Sequence, residues 1–172
     1  KDVKALHRTA FENEYSSRIL SAVHEVNEDQ KKILFLKIHD HFSGALEGKT
    51  IALWGLAFKP KTDDMREAPS RVLMENLWAH GATVQAFDPE AMSEARKLYP
   101  DQPGLTLMAS PQQVLEGADA LVLVTEWNMF RSPDFDEIKV MLKTPVIFDG
   151  RNQYDPAAVK RHGIQYYGIG RR

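Results

Sequence analysis

"GKTIALWGLAFKPKTDDMREAPSRVLMENL", residues 48–77, runs from an apolar strand through a charged loop into a helix. Thr50–Trp54 is the strand; Pro69–His80 is the helix, with proline near its first turn and Gly81 as its stop. Units of this kind cradle phosphate at the helix N-terminus when their loop is rich in glycine. This loop keeps Gly55 but lacks the second and third glycines of the dinucleotide fingerprint, and it carries Lys59, Lys61, Asp63, Asp64, Arg66 and Glu67 instead. Close approach of a pyrophosphate to this helix is therefore disfavoured, and the frame must hold something else.

The same alternation continues downstream. Thr83–Phe87, Leu105–Met108, Ala120–Val124, Pro145–Phe148 and Ile164–Tyr167 read as strands, and Glu90–Leu98, Asp134–Leu142 and a segment from Asp155-Pro156 to Arg161 as helices. Ser110-Pro111-Gln112-Gln113 reads as the capped start of one more helix. Strands apolar on both faces and separated by helices predict an α/β fold with a parallel sheet covered on both sides. Right-handed crossovers then predict a doubly wound, Rossmann-like order 3-2-1-4-5-6. Upstream the texture differs: 16–42 holds no Pro or Gly, and Ile19, Val23, Val26, Ile33 and Leu36 recur at helical spacing. This predicts a helical segment over 1–47, with a short helix at Asp2–Ala10 and then a long one, ahead of a Rossmann-like domain over 48–172. So long a helix bridges domains, packs on a partner subunit, or folds back on its own domain.

With 43% apolar and 27% charged residues in 172, the composition is that of an ordinary soluble protein with a working core. A net charge of −2 offers no overall field for nucleic acid, and Lys31-Lys32 and Arg171-Arg172 read as solvated ends. The lack of cysteine excludes disulfides and thiolate chemistry within the chain and suits a reducing, cytoplasmic setting. The six histidines have no metal spacing, no apolar run is long enough for a membrane span, and the start at Lys1 without Met reads as that of a fragment.

In an open parallel sheet, ligands bind beyond the carboxyl ends of the strands, where the winding reverses. Three unusual segments fall there: Gly55–Lys59 after the first strand, Thr125-Glu126-Trp127 after the fourth, and Asp149-Gly150-Arg151 after the fifth. Lys59 and Arg66 are phosphate candidates, and Arg151 can be aimed into the crevice by the preceding glycine. Phe58 can stack on a base or a sugar. Each has a plainer alternative: a solvated charge network, a surface arginine beside an aspartate, an aromatic of the core. Trp127 fits a core cap, and Asp88 fits a turn residue capping the next helix better than a ribose ligand.

"GLAFKPKTDDMRE", "TEWNMF" and "FDGRN" resemble, in order and spacing, three signature stretches of the UDP-glucose 6-dehydrogenase family. "KDVKAL" at residues 1–6 is similar to the tail of a fourth, and "VNEDQ" to the Asn- and Gln-bearing part of the family's long central helix. The resemblance spans the whole chain and implies the family's C-terminal portion: a dimerising helix followed by a UDP-sugar-binding domain. It implies substrate contacts at Phe58, Lys59 and Arg151, contacts to the cofactor NAD at Lys1 and Arg66, and a catalytic acid at Asp2. It also implies that the intact enzyme oxidises UDP-glucose to UDP-glucuronate by two hydride transfers to NAD, through a sulfur-linked intermediate on a cysteine that this chain lacks. The chain alone is then expected to be inactive, its partners being UDP-glucose, an N-terminal NAD domain and a second copy, with no nucleic acid and no membrane. The alternatives are the same portion of a GDP-mannose or UDP-N-acetylhexosamine dehydrogenase, and a non-catalytic nucleotide-binding or assembly module.

Overall fold

The structure, a computed structural model, describes residues 2–171, and of Asp2 and Lys4 the backbone alone. Helix α1 (Asp2–Glu12) folds back on the first half of α2 (Arg18–His41), with His7 Nε2 lying 3.0 Å from Ser21 Oγ. At 1.5 Å per residue, α2 is about 36 Å long. Six strands follow: β1 (Thr50–Trp54), β2 (Thr83–Phe87), β3 (Leu105–Leu107), β4 (Ala120–Leu123), β5 (Val146–Asp149) and β6 (Gln165–Gly168). Between them lie α3 (Pro69–Ala79), α4 (Met92–Leu98), α5 (Phe135–Met141) and α6 (Pro156–Arg161).

All pairings are parallel, and the order is β3-β2-β1-β4-β5-β6, as the crossover rule predicts. Leu53 lies opposite Ala86 on one side and Val122 on the other. Because side chains alternate along a strand, β1 serves two cores. Ile51 and Leu53 pack with Val122, Phe148 and the α3 residues Leu73, Met74 and Leu77. Ala52 and Trp54 pack on the other face with Leu121, Leu123, Ile138 of α5 and Val159 of α6.

The long helix does two things. Its second half folds back, burying Leu34, Phe35 and Ile38 in the first of those cores; each such side chain contributes about 1.5–3 kcal/mol. Its first half and α1 leave Phe11 78% and Ile19 80% exposed, beside Leu6, Tyr15 and Val26. No helix among the described residues is long and apolar enough to cross a membrane.

Two elements differ from expectation. The helix predicted at Ser110 is only a 3-10 turn, Gln113–Leu115. Its caps form, with Gln113 N donating to Ser110 Oγ and Ala109 N to Gln113 Oε1. However, Val114 and Leu115 plunge into the core at once, and Gly117, at φ 67°, turns the chain toward β4. Helix α4 starts at Met92 rather than Glu90, because the Asp88 carboxylate already holds the amides of Glu90 and Ala91 in a turn.

Candidate functional site

The loop after β1 begins with Gly55 at φ 93°, where a Cβ would come within 2.5 Å of the Thr125 side chain. Only glycine lets the β1 and β4 ends approach this closely. The next two residues, Leu56 and Ala57, are fully buried, and their backbone groups are satisfied by distant parts of the chain. Asp88 Oδ2, at the end of β2, accepts from Leu56 N at 2.7 Å, Ala57 N at 3.1 Å and the Trp127 indole at 3.1 Å. Ser70 donates to the Leu56 carbonyl and Thr125 to that of Ala57. Oδ1 of the same aspartate accepts from Glu90 N and Ala91 N, both at 2.9 Å. The amides that would take a dinucleotide's pyrophosphate are thus bound to a protein carboxylate. A dinucleotide does not fit this loop.

The capping role read for Asp88 is therefore half of what it does. The contact to the β1 loop lies 31 to 32 residues away in sequence and has no local signature. Trp127 is a core residue, as its plainer reading had it.

Past Ala57 the chain surfaces. Phe58 is 40% exposed, with its amide donating to the Asp64 carbonyl at 3.0 Å. The Lys59 ammonium stands 5.2 Å from the centre of the Phe58 ring and makes no ion pair among the described residues. Arg151, from the loop after β5, reaches both other loops: Nη2 donates to the Phe58 carbonyl at 2.9 Å, and Nε lies 2.6 Å from Glu126 Oε2. The Glu126 contact is ionic rather than an aligned hydrogen bond, since that oxygen has no hydrogen-bond donor among the described residues. One guanidinium therefore joins the loops after β1, β4 and β5.

Asp149 does not pair with the Arg151 side chain. It is buried and accepts from the Arg151 amide at 2.9 Å, the Tyr154 amide at 3.0 Å and the Tyr166 hydroxyl at 2.9 Å. Burial first, and then the Asp149 charge, push the Tyr166 hydroxyl above the usual phenol range. Gly150 matters for a reason other than a sharp turn: a Cβ there would meet Leu34 Cδ1 at 2.7 Å and the Leu123 carbonyl at 2.8 Å. It lets α2 lie against the ends of β4 and β5.

Arg66 forks onto Asp64, with Nε to Oδ1 at 2.9 Å and Nη2 to Oδ2 at 2.7 Å, and remains 74% exposed. Asp64 raises its pKa. Between these loops and the α1–α2 pair lies a cleft of about 1230 Å³, lined by Phe58, Arg66 and Arg151 from the sheet side and by Asn27 and Lys31 from α2. Lys59 stands beside it, over the Phe58 ring, and is not part of its lining. Lys1 and the Asp2 side chain lie outside the described residues.

One residue corrects its sequence reading. Lys31 is not a solvated end: its side chain is only 15% exposed, and its ammonium lies 2.9 Å from both Glu28 and Glu67. The Glu28–Lys31 spacing was visible as a helical i, i+3 pair; the bond to Glu67, across the cleft, was not. Lys32 does stay in solvent, paired with Asp29.

Residues 52–156 match the family model "UDP-glucose/GDP-mannose dehydrogenase family, UDP binding domain". Over 99% of its length the chain is 52% identical to a UDP-glucose 6-dehydrogenase of Pseudomonas aeruginosa, and over all of it 37% identical to one of Bacillus subtilis. It spans 38% of the length of each of these relatives. Among solved structures, a UDP-glucose dehydrogenase from Pyrobaculum islandicum superposes with a TM-score of 0.83 at 28% identity, covering 99% of this chain and 36% of that one. A GDP-mannose dehydrogenase from Pseudomonas aeruginosa does so with a TM-score of 0.69 at 26% identity, over 98% and 37%. Sequence, sheet order and the three converging loops agree: the chain belongs to the UDP-glucose/GDP-mannose dehydrogenase family, and residues 52–156 match that family's UDP binding domain.

Proposed function

We propose that this chain is the UDP-sugar-holding portion, residues 48–172, and the dimerising helical portion, residues 1–47, of an NAD-dependent dehydrogenase that oxidises UDP-glucose to UDP-glucuronate. The observation that carries this reading is the position of Arg151, which ties the Phe58 carbonyl and Glu126 together at the mouth of the cleft. Its guanidinium and the Lys59 ammonium, which stands over the Phe58 ring, offer cationic donors to a diphosphate, and the exposed Phe58 ring offers a surface to the nucleoside or sugar. The relatives at 52% and 37% identity are UDP-glucose 6-dehydrogenases, which favours glucose over mannose.

NAD, when bound, supplies the hydride acceptor. The β1 loop does not take it, so this chain's contribution to the dinucleotide is confined to Arg66 on the cleft rim, with Lys1 and the acid Asp2 assigned by resemblance. Dinucleotide binding belongs to a further domain that precedes this chain in the full polypeptide. The exposed apolar row from Leu6 to Val26 supports the dimer.

The test is NAD reduction by the full-length polypeptide with UDP-glucose, GDP-mannose and UDP-N-acetylglucosamine in parallel. UDP-glucose is expected to be turned over fastest, and the isolated chain to give no reduction. Arg151→Ala is expected to lower kcat/KM for UDP-glucose by a charge-assisted bond, about 1.5–3 kcal/mol or roughly 10- to 150-fold. Faster turnover of GDP-mannose would transfer the assignment to the sibling branch. An unchanged kcat/KM in Arg151→Ala would remove the observation on which the reading stands.

A further inference from the structure

We infer that Lys31, on the long helix, is a positioning residue that holds the outer turn of the β1–α3 loop so that Arg66 faces the cleft. The inference rests on the reading of Arg66 as the dinucleotide contact.

The loop is pinned from within by Met65 and Ala68, both buried, and Ala68 N closes a turn onto the Met65 carbonyl at 3.1 Å. Arg66 and Glu67 are the two residues pushed outward between these pins. Glu67 does so at φ 58°, a left-handed backbone that a residue with a side chain adopts only under restraint. One restraint comes from α2, where Lys31 Nζ bonds Glu67 Oε2 at 2.9 Å. Lys31 is itself aligned by Glu28, also at 2.9 Å, one turn earlier on the same helix. Burial alone would pull the Lys31 pKa down, but the bonds to Glu67 and Glu28 outweigh it and raise it, so the ammonium stays charged. With Glu67 drawn to α2, Arg66 takes the neighbouring direction, where Asp64 accepts from both its amide and its guanidinium. Lys31 and Arg66 line the same cleft from opposite walls. The helix thus sets where the Arg66 charge stands, although Lys31 does not touch it.

A merely structural staple would weaken the fold without choosing between substrates. Positioning of Arg66 predicts a split. In the full-length polypeptide, Lys31→Met is expected to raise KM for NAD about tenfold while KM for UDP-glucose stays within about twofold. Lys31→Arg, whose guanidinium can still bridge two carboxylates, is expected to recover most of the loss. Because the effect passes through Arg66, Lys31→Met should add little further loss to Arg66→Ala. Equal effects on the two substrates, no effect on NAD, or full additivity with Arg66→Ala would each overturn the inference. If Arg66→Ala itself leaves KM for NAD unchanged, the dinucleotide reading of Arg66 fails. The positioning claim is then decided by hydrogen exchange at the Met65–Glu67 amides, faster in Lys31→Met if Lys31 holds the turn and unchanged if it does not.

Discussion

Asp88 and Asp119 are both buried carboxylates at strand ends beside β1, at opposite edges of the sheet. At the amino edge, Asp119 accepts from Thr50 N at 2.9 Å and pairs with Lys49 at 3.1 Å and Lys143 at 3.6 Å. At the carboxyl edge, among the described residues, Asp88 receives only neutral donors, four amides and one indole, and Asp149 likewise receives two amides and a phenol. The cations of that edge, Lys59, Arg66 and Arg151, remain outside these buried networks. The amino edge uses lysines for stability. The carboxyl edge builds its frame from amides, an indole and a phenol, and its cations Arg66 and Arg151 line the cleft.

The largest expected effect breaks that frame. Asp88→Ala leaves five donors without an acceptor in a buried site, at about 1–3 kcal/mol for each that water cannot reach. A loss of about 4 kcal/mol or more, approaching the whole stability of a domain, is expected in urea denaturation. Asp88→Asn keeps the shape and some acceptor capacity and should lose less. A loss below about 1 kcal/mol in Asp88→Ala would mean that the amides find other partners and that the carboxylate is not what holds the β1 loop.

Gly55→Ala tests the same frame from the other side. The added Cβ would meet Thr125 at 2.5 Å in a backbone that disfavours side chains. The expected cost is about 3 kcal/mol, combining backbone strain with a forced shift of the β4 loop. Crystals of the variant should show Thr125 displaced and its bond to the Ala57 carbonyl lengthened.

These two residues also mark what could be read in advance. Gly55 was legible because a glycine directly after an apolar strand signals a local backbone need. The strand order was legible because alternating elements and crossover handedness leave few topologies. Asp88 was half legible: its capping bonds are local, whereas its bonds to Leu56, Ala57 and Trp127 exist only once β1, β2 and β4 lie side by side. Lys31 was misread for the same reason, since Glu67 is 36 residues away. Arg151 was placed near the crevice by topology, but its grip on the Phe58 carbonyl and Glu126 required the loops' final paths.

The stability of the amino edge should depend on pH. Burial alone would raise the Asp119 pKa, but the Thr50 amide, Lys49 and Lys143 together outweigh it and hold it below the usual 3.8. A carboxyl depressed on folding stabilises above its unfolded pKa, and that stability is lost as pH falls through the folded one. Asp119→Asn is therefore expected to cost about 1–2 kcal/mol at neutral pH, the lysines being partly solvated and screened. The gap from wild type should hold above pH about 5 and close as pH drops below about 4. A gap that does not narrow at all as pH falls below about 4 would show that packing, not charge, makes Asp119 useful.

The smallest stability effect is expected at Arg66. Its pairing with Asp64 lies in solvent, where an ion pair adds little to folding. Arg66→Ala should leave the denaturation midpoint where it is, while raising KM for NAD in the full-length polypeptide and leaving that for UDP-glucose nearly unchanged. Salt sharpens the point: if the exposed guanidinium serves a ligand phosphate, raising ionic strength should weaken NAD binding in the wild type more than in Arg66→Ala. A midpoint that falls in Arg66→Ala would place this cation among the groups that hold the fold, and the division of labour between the two edges would then not extend to the β1–α3 loop.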